Sequence, residues 1–397
     1  MKRPFLANEK KCTGCSACVD SCGKHALSAY IASDGHVYVS CDEAKCVLCH
    51  RCEKACPVVN DLEYSSNSNK FSQPYSVRCT SSLYEKSTSG GAFAALAVQF
   101  VKDGGYVCGA IFEGNHVKHI VSNKLEDIAR MQGSKYLQSS LDGVFREISL
   151  LLKQGHKVLF CGMGCQGAAM FSFFKNHKNR ELLYIIDMIC GGVPSYLLAK
   201  TFLENETNYK QIVGFRRKGE YVLSCLNKDN YIEYLERRTL PIVGFGTGLT
   251  NRYSCSDCHF TGIERLSDIT IGDLWGPKYN DGFQRSVAIV HTDKGKLLLN
   301  SASNLDVDKT DWAFILHNYR CVIGRSINKF RLRRKLLAWN FKHLSYSQLC
   351  GLYGCKFNNP IWLTLKIYNK LIKIVESFYI KYQLKLILVE LNKCKDL

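Results

Sequence analysis

Past residue 73 the chain alternates apolar runs of strand length with longer stretches of helical spacing. The pattern predicts a helix over Ala92 to Lys102, closed by Gly104-Gly105, then strands over Tyr106 to Phe112 and Val117 to Ser122. Helices over Leu125 to Met131 and Leu141 to Lys153 flank a short Gly133-Ser134-Lys135-Tyr136 segment. Strand and helix then follow in turn: Lys157 to Cys161, Gln166 to Lys175, Leu182 to Ile189, Ser195 to Glu204. Further strands fall at Ile212 to Arg216, Tyr221 to Leu226, Asp268 to Gly272 and Val287 to His291, with a helix from Lys294. The order predicts an α/β body with mixed sheets. Before it, Ala26 to Val39 alternates like a small hairpin turning at Asp34-Gly35, which makes residues 1–64 a separate small α+β unit. Residues 65–73 read as a polar linker, 74–155 and 156–345 as the two parts of the body, and 346–397 as a helical tail.

Composition narrows this. The 397 residues are 46% hydrophobic, enough for buried cores in two or three domains. No apolar leader and no membrane-length run is expected, and 21 cysteines without a secretory signal point to a reducing cytoplasm, where thiols bind metal. The net charge of +18 is concentrated at one end: from Arg320 onward 16 Lys and Arg face only Glu376, Glu390 and Asp396. Within that tail, Ile361 to Leu391 mixes apolar residues with lysines as an amphipathic basic helix or pair of helices. It is suited to peripheral contact with an anionic membrane, to an acidic redox protein, or to packing on the body. No motif supports nucleic-acid binding.

The chemistry lies in the cysteines. Cys12, Cys15, Cys18 and Cys22 form a C-x2-C-x2-C-x3-C run, and Cys46, Cys49, Cys52 and Cys56 repeat it and end in Cys-Pro. Three thiolates at i, i+3 and i+6 wrap one corner of an iron–sulfur cube, while the fourth points away to the neighbouring cube. One 4Fe-4S cluster is assigned to Cys12, Cys15, Cys18 and Cys56, and a second to Cys46, Cys49, Cys52 and Cys22. Zinc prefers two separated ligand pairs. Cys41 reads as a bystander.

Gly162-Met163-Gly164-Cys165-Gln166-Gly167 spells a dinucleotide fingerprint, with Asp187 at the ribose-binding spacing. Against that reading, Cys165 stands at the helix mouth and Cys190 follows the next strand. Cys165, Cys190, Cys255 and Cys258 supply four thiols, enough for a third 4Fe-4S cluster, with Cys161 as a competitor for Cys165. Spacing alone does not bring them together. Ser87-Thr88-Ser89-Gly90-Gly91 before a helix is either an anion-binding turn or an ordinary cap.

Residues from about Ser76 to Leu344 resemble the coenzyme F-420 hydrogenase/dehydrogenase beta subunit family, which includes flavin-dependent reductases. The likeness rests on Ser89-Gly90-Gly91, Gly133 to Tyr136, Val158 to Gln166, Asp187 to Ser195, Cys255-x2-Cys258 and Arg265 to Gly276. It is joined to an N-terminal unit resembling bacterial two-cluster ferredoxins. The resemblance implies a flavin, usually FAD, held partly by Ser89, Gly90, Gly91, Gly133, Ser134, Lys135 and Tyr136. It also implies a third 4Fe-4S cluster on Cys165, Cys190, Cys255 and Cys258. Relatives carry Pro where Gly164 stands and often His where Gly191 stands, departures that bear on substrate choice. Lys135, Tyr136 and Asp273 are candidates for flavin contact or proton delivery. The expected function is an iron–sulfur flavoprotein oxidoreductase. Ferredoxin or a partner subunit would feed it single electrons, and a small-molecule substrate would receive them. The other class is an electron-transfer subunit or adaptor serving a partner enzyme.

Overall fold

The computed structural model describes residues 4–60, 72–217, 219–235, 238–274, 282–318 and 336–353, with the isolated helical positions Ile374, Phe378, Tyr382 and Lys385. The N-terminal unit contains α1 (Ala17–Ser21), β1 (Leu27–Ile31), β2 (Val37–Cys41) and α2 (Arg51–Ala55). Its two strands pair antiparallel, Leu27 opposite Cys41 and Ile31 opposite Val37, around the predicted turn.

The body begins with β3 (Gln73–Cys79), α3 (Ala92–Lys102), β4 (Tyr106–Glu113), β5 (His116–Ser122), α4 (Leu125–Met131), β6 (Ser139–Ser140) and α5 (Val144–Lys153). It continues with β7 (Val158–Met163), α6 (Gly164–Phe174), β8 (Leu183–Met188), α7 (Leu197–Asn205), β9 (Tyr209–Gly214), β10 (Leu223–Asn227), β11 (Ile232–Leu235) and α8 (Leu240–Thr247). The last elements are β12 (Ile269–Leu274), β13 (Arg285–Val290), α9 (Asp293–Ser301), β14 (Leu305–Lys309), α10 (Trp312–Asn318), α11 (Leu337–His343) and α12 (Tyr346–Leu352).

Nine strands form one mixed sheet in the order β14-β3-β13-β12-β8-β7-β4-β5-β6. Its centre, β12-β8-β7-β4, is parallel. These strands are buried on both faces and therefore read as continuous apolar runs, Val158 to Cys161 and Leu183 to Ile186 among them. On one face Leu96 and Phe100 of α3, Ile128 and Met131 of α4, and Leu298 and Leu299 of α9 close the core. On the other, Phe145, Ile148 and Leu152 of α5 meet Met170 and Phe174 of α6. Cys15, Ala17 and Ala55 of the N-terminal unit pack into that same second core, so the unit is built onto the sheet's helical layer.

Polar bonds reinforce the join. The Asp20 carboxylate of α1 accepts from the Gly143 and Phe145 backbone N–H groups, each at 3.0 Å, and so caps α5 from outside its own segment. Ser195 Oγ donates to the Asp34 carbonyl at 2.7 Å, and His36 Nε2 lies 3.1 Å from the Thr250 carbonyl oxygen. Arg252, 1% exposed, donates Nε to the Cys12 carbonyl at 3.1 Å and both terminal nitrogens to the Val37 carbonyl.

Three differences from the periodic pattern have physical causes. β3 and β14 escape local reading because each is completed by distant partners: β3 lies between β13 and β14, and Pro74 interrupts its pattern. Two predicted strands, near 212 and 221, leave the main sheet and join β11 in a separate antiparallel three-stranded sheet. α8, sequence LPIVGFGT, has two glycines inside it, which mask its helical character. The predicted linker 65–73 lies outside the described residues except Ser72 and Gln73, and Gln73 already opens β3. Most of the predicted tail, and Trp275, also lie outside them; α12 is described and buries Leu349 against Leu198 and Leu240. Among the described residues no helix is long and apolar enough to cross a membrane.

Candidate functional site

The two N-terminal cysteine runs fold into matching loops. Gly14 and Ser16 in the first, and Leu48 and His50 in the second, take positive φ of 68°, 61°, 53° and 57°. Each middle cysteine, Cys15 or Cys49, therefore sits between two left-handed residues. A non-glycine residue there costs about 1 kcal/mol or more, so three such residues mark a backbone shape imposed by the loop's task. The shape turns N–H groups inward: Gly14 N lies 3.4 Å from Cys12 Sγ and Ala26 N 3.3 Å from Cys22 Sγ.

Electrostatics link Cys56 of the second run to thiols of the first. Burial, then the neighbouring thiolates of Cys56 and Cys12, pushes Cys15 up to about 12. Cys18 is raised by burial first and then by Cys15, Cys56, Cys12 and Cys52. Cys56 of the second run thus stands with Cys12, Cys15 and Cys18. At the other end, burial acts upward on Cys22, but backbone N–H groups of residues 24 to 27 outweigh it and lower its pKa. Cys41, read as a bystander, lies within electrostatic reach of Cys46 and Cys22. Cys49 is exposed, whereas Cys15, Cys52 and Cys56 are buried.

The body holds the third set. Cys165 opens α6 after β7 and Cys190 follows β8, both at the carboxyl edge of the parallel strands, where α/β sheets place their sites. Cys255 and Cys258 come from the loop after α8. Cys165 is raised well above the thiol range by burial and then by Cys258, Cys190, Cys255 and Cys15. Cys165 therefore lies within electrostatic reach of the other three, and of Cys15 in the first loop. Val193 N and Gly192 N approach Cys255 Sγ and Cys190 Sγ at 3.4 and 3.2 Å. The competitor Cys161 lines the same cavity but is buried in the core beneath α3, pushed up to about 12 by desolvation and then by Asp187, with none of the other four thiols among the groups acting on it. Among the described residues no three His, Cys, Asp or Glu groups are placed to hold a single metal ion. A cube distributes its thiolates over four separate irons, a wider arrangement than one ion's shell.

A cavity of about 270 Å³ opens along the same sheet edge. Ser89, Gly91, Gly133, Ser134, Lys135, Tyr136, Asp273, Cys165 and Cys190 all line it, joined by Thr13 of the first cysteine loop. Gly90 does not line it. A Cβ there would collide with Ser286 N and lie 2.5 Å from the Val77 carbonyl, so this glycine lets the 87–91 loop lie flat on β3 and β13. Thr88 Oγ1 and Ser134 Oγ, 3.1 Å apart, tie the two predicted flavin-contact segments together.

The three tentative catalytic side chains are held by neighbours. Lys135 Nζ donates to the carbonyls of Met131, Gln132 and Gly133 at 3.1, 2.8 and 3.2 Å. Burial pulls its pKa down to about 7, and the nearby Cys161 thiol acts the other way. Tyr136 stacks on Phe245, centroids 3.8 Å apart, and burial raises its phenol. Asp273 pairs with Arg216 at 2.6 Å. Arg216, Phe245 and His119 also line the cavity, and nothing in their local sequence points to it.

The dinucleotide fingerprint has another use. A Cβ on Gly164 would sit 2.5 Å from the Phe260 carbonyl and 2.8 Å from Arg265 Nη1, so the 258–265 loop fills the helix mouth. Asp187 is buried in an ion pair with Arg265 (3.3 Å) and accepts from Thr270 Oγ1 at 2.5 Å. Thr270 continues to His291 and His291 to Ser72, at 2.8 and 2.7 Å. The acid braces the cysteine loop from below and has no open path to a ribose.

Comparison with known proteins agrees with this division. Residues 155–311 match the C-terminal part of the family described as coenzyme F420 hydrogenase/dehydrogenase, beta subunit. Residues 11–60 match the 4Fe-4S dicluster domain. The likeness to the F420 hydrogenase/dehydrogenase beta subunit is thus carried by residues 155–311 of this chain. The N-terminal match supports iron–sulfur clusters in this chain. Among solved structures it aligns with a chain of the xenon-derivatised F420-reducing [NiFe] hydrogenase complex from Methanosarcina barkeri, at 16% identity and a TM-score of 0.46. That alignment covers 71% of this chain and 92% of the other. No curated protein matches significantly.

Proposed function

We propose that this protein is an oxidoreductase with three 4Fe-4S clusters and one flavin, carrying single electrons from a donor protein to a small substrate in the cavity. The observation that carries the reading is the position of Cys165. It stands among Cys190, Cys255 and Cys258, beside Cys15 of the N-terminal unit, and on the wall of the cavity.

When bound, the clusters supply one-electron carriers and the flavin exchanges one or two electrons. The chain's residues would divide the work as follows. Cys46, Cys49, Cys52 and Cys22 hold the outermost cluster, where exposed Cys49 faces an incoming donor. Cys12, Cys15, Cys18 and Cys56 hold the next, shielded from water by the core that includes Ala17 and Ala55. Cys165, Cys190, Cys255 and Cys258 hold the innermost one. Ser87 to Gly91 and Gly133 to Tyr136 form one wall for the flavin, with Lys135 fixing the 131–135 turn and the Tyr136–Phe245 stack flattening the surface. Arg216 and Asp273 set the polarity of the wall beside Tyr136. The donor would be reduced ferredoxin or a partner subunit, which suits a family named for a beta subunit. Residues 1–64 act as the inlet unit and the two parts of the body, 74–155 and 156–345, as one catalytic unit.

Anaerobic purification with iron, sulfide and flavin quantified together tests this. Three cubes require about twelve irons per chain, accompanied by one flavin. About eight irons and no flavin would leave only the ferredoxin-type unit and favour the adaptor role.

A further inference from the structure

Most polar groups on the cavity wall are already engaged. Lys135 directs its ammonium at three carbonyls, Asp273 and Arg216 hold each other, and Gln166 joins Met163 N to Ser139 Oγ. His119 differs. It lies on β5 opposite Ala110 of β4, lines the cavity, and is 5% exposed. Its Nε2 lies 3.0 Å from the Cys161 carbonyl oxygen. A carbonyl only accepts, so Nε2 carries the hydrogen. Stacking on Phe160, with centroids 5.4 Å apart and planes 15° from parallel, holds the ring in this orientation. The other nitrogen, Nδ1, is buried without a hydrogen-bond partner. Burial, with the Lys135 charge adding to it, lowers the ring's pKa to about 4, so at neutral pH Nδ1 is a bare acceptor.

We propose that His119 Nδ1 is an acceptor for an N–H of the bound cofactor's ring, and so favours a flat heteroaromatic ligand that presents such a donor. An all-acceptor group such as a phosphate or carboxylate gains nothing from this lone pair and is repelled by it, which confines such groups to other walls of the cavity. The flavin ring belongs to the selected class: its imide N–H is present in both redox states, and a further N–H is created on reduction. This inference rests on the flavin reading above.

The test uses the full chain, purified anaerobically, stripped of flavin and titrated with FAD. The variants are His119→Phe, which keeps a ring against Phe160, and His119→Asn, which restores an acceptor. If the imide is the partner, His119→Phe weakens FAD binding about tenfold, the value of one hydrogen bond. If the reduction-dependent N–H is the partner, oxidised FAD binds as before and the flavin's midpoint potential becomes more negative. In either case His119→Asn recovers part of the loss. Equal affinity and equal potential in His119→Phe overturn the assignment while leaving the flavin reading intact, as does His119→Asn matching His119→Phe in its loss. Failure of the wild-type chain to bind FAD overturns both.

Discussion

Arg252 is the side chain that most directly joins the first cysteine loop to the third cysteine set. It lies three residues before Cys255, and its guanidinium reaches the carbonyls of Cys12 and Val37 while packing 4.7 Å from the Tyr38 ring centroid. Replacing it with Met keeps most of the buried stem and removes the donors. Each charge-assisted bond contributes about 1.5–3 kcal/mol, so two acceptors lose about 3–6 kcal/mol together. The variant no longer buries a guanidinium, which returns a few kcal/mol. The net effect is about 2–3 kcal/mol, confined to the contact between residues 11–60 and the body. At about 1.4 kcal/mol per tenfold, local opening there rises roughly 30- to 150-fold. Hydrogen exchange of the anaerobic holoprotein reads this peptide by peptide. Faster exchange is expected in the 11–45 and 249–258 segments, with β7 and β8 unchanged. Unchanged exchange at those segments, or a uniform rise across the chain, would refute the view that Arg252 is a local clamp.

Three further outcomes are expected. Asp20→Ala removes the cap that α1 lends to α5 and should lower unfolding stability by about 1–2 kcal/mol in urea melts, with Asp20→Asn losing less; equal loss in both would point away from capping by the carboxylate. His119, held near pKa 4 when folded against 6.5 for an ordinary imidazole, binds fewer protons folded than unfolded between those values, so its contribution is present above pH 6.5 and is lost as pH falls towards 4. From pH 7 to 5 the wild type should therefore lose about 2 kcal/mol more stability than His119→Phe, and parallel pH profiles would contradict this. Cys161→Ala should keep its iron and cost about 1 kcal/mol of packing, whereas Cys165→Ala should lose the irons of one cube; the reverse pattern in iron assays would reassign the ligand.

The chemistry is more legible in the sequence than its setting is. Two runs with cube spacing, together with Cys165 and Cys190 after successive strands, can be read directly because ligand spacing and strand ends are local features. α3 is bounded correctly because Gly91 and Gly104-Gly105 flank a continuous apolar helix. β3 and β14 escape notice, since their pairing joins residues more than two hundred positions apart. The fingerprint at Gly162 to Gly167 has the right spacing for the wrong ligand. Only the approach of the 258–265 loop shows why small residues stand there. His119 and Arg252 carry no local signal, because each acquires its role from a backbone carbonyl supplied by a distant segment.

On the proposed route the third cysteine set connects the N-terminal unit to the cavity. Cys258 is suited to test it, since it belongs to that set and does not line the cavity. Anaerobic stopped-flow mixing with reduced ferredoxin, monitored at the flavin absorbance, would compare the wild type with Cys258→Ala carrying the same flavin content. Rapid flavin bleaching is expected in the wild type, and in the variant reduced N-terminal clusters with a flavin that stays oxidised. Equal bleaching rates in the two proteins would contradict it.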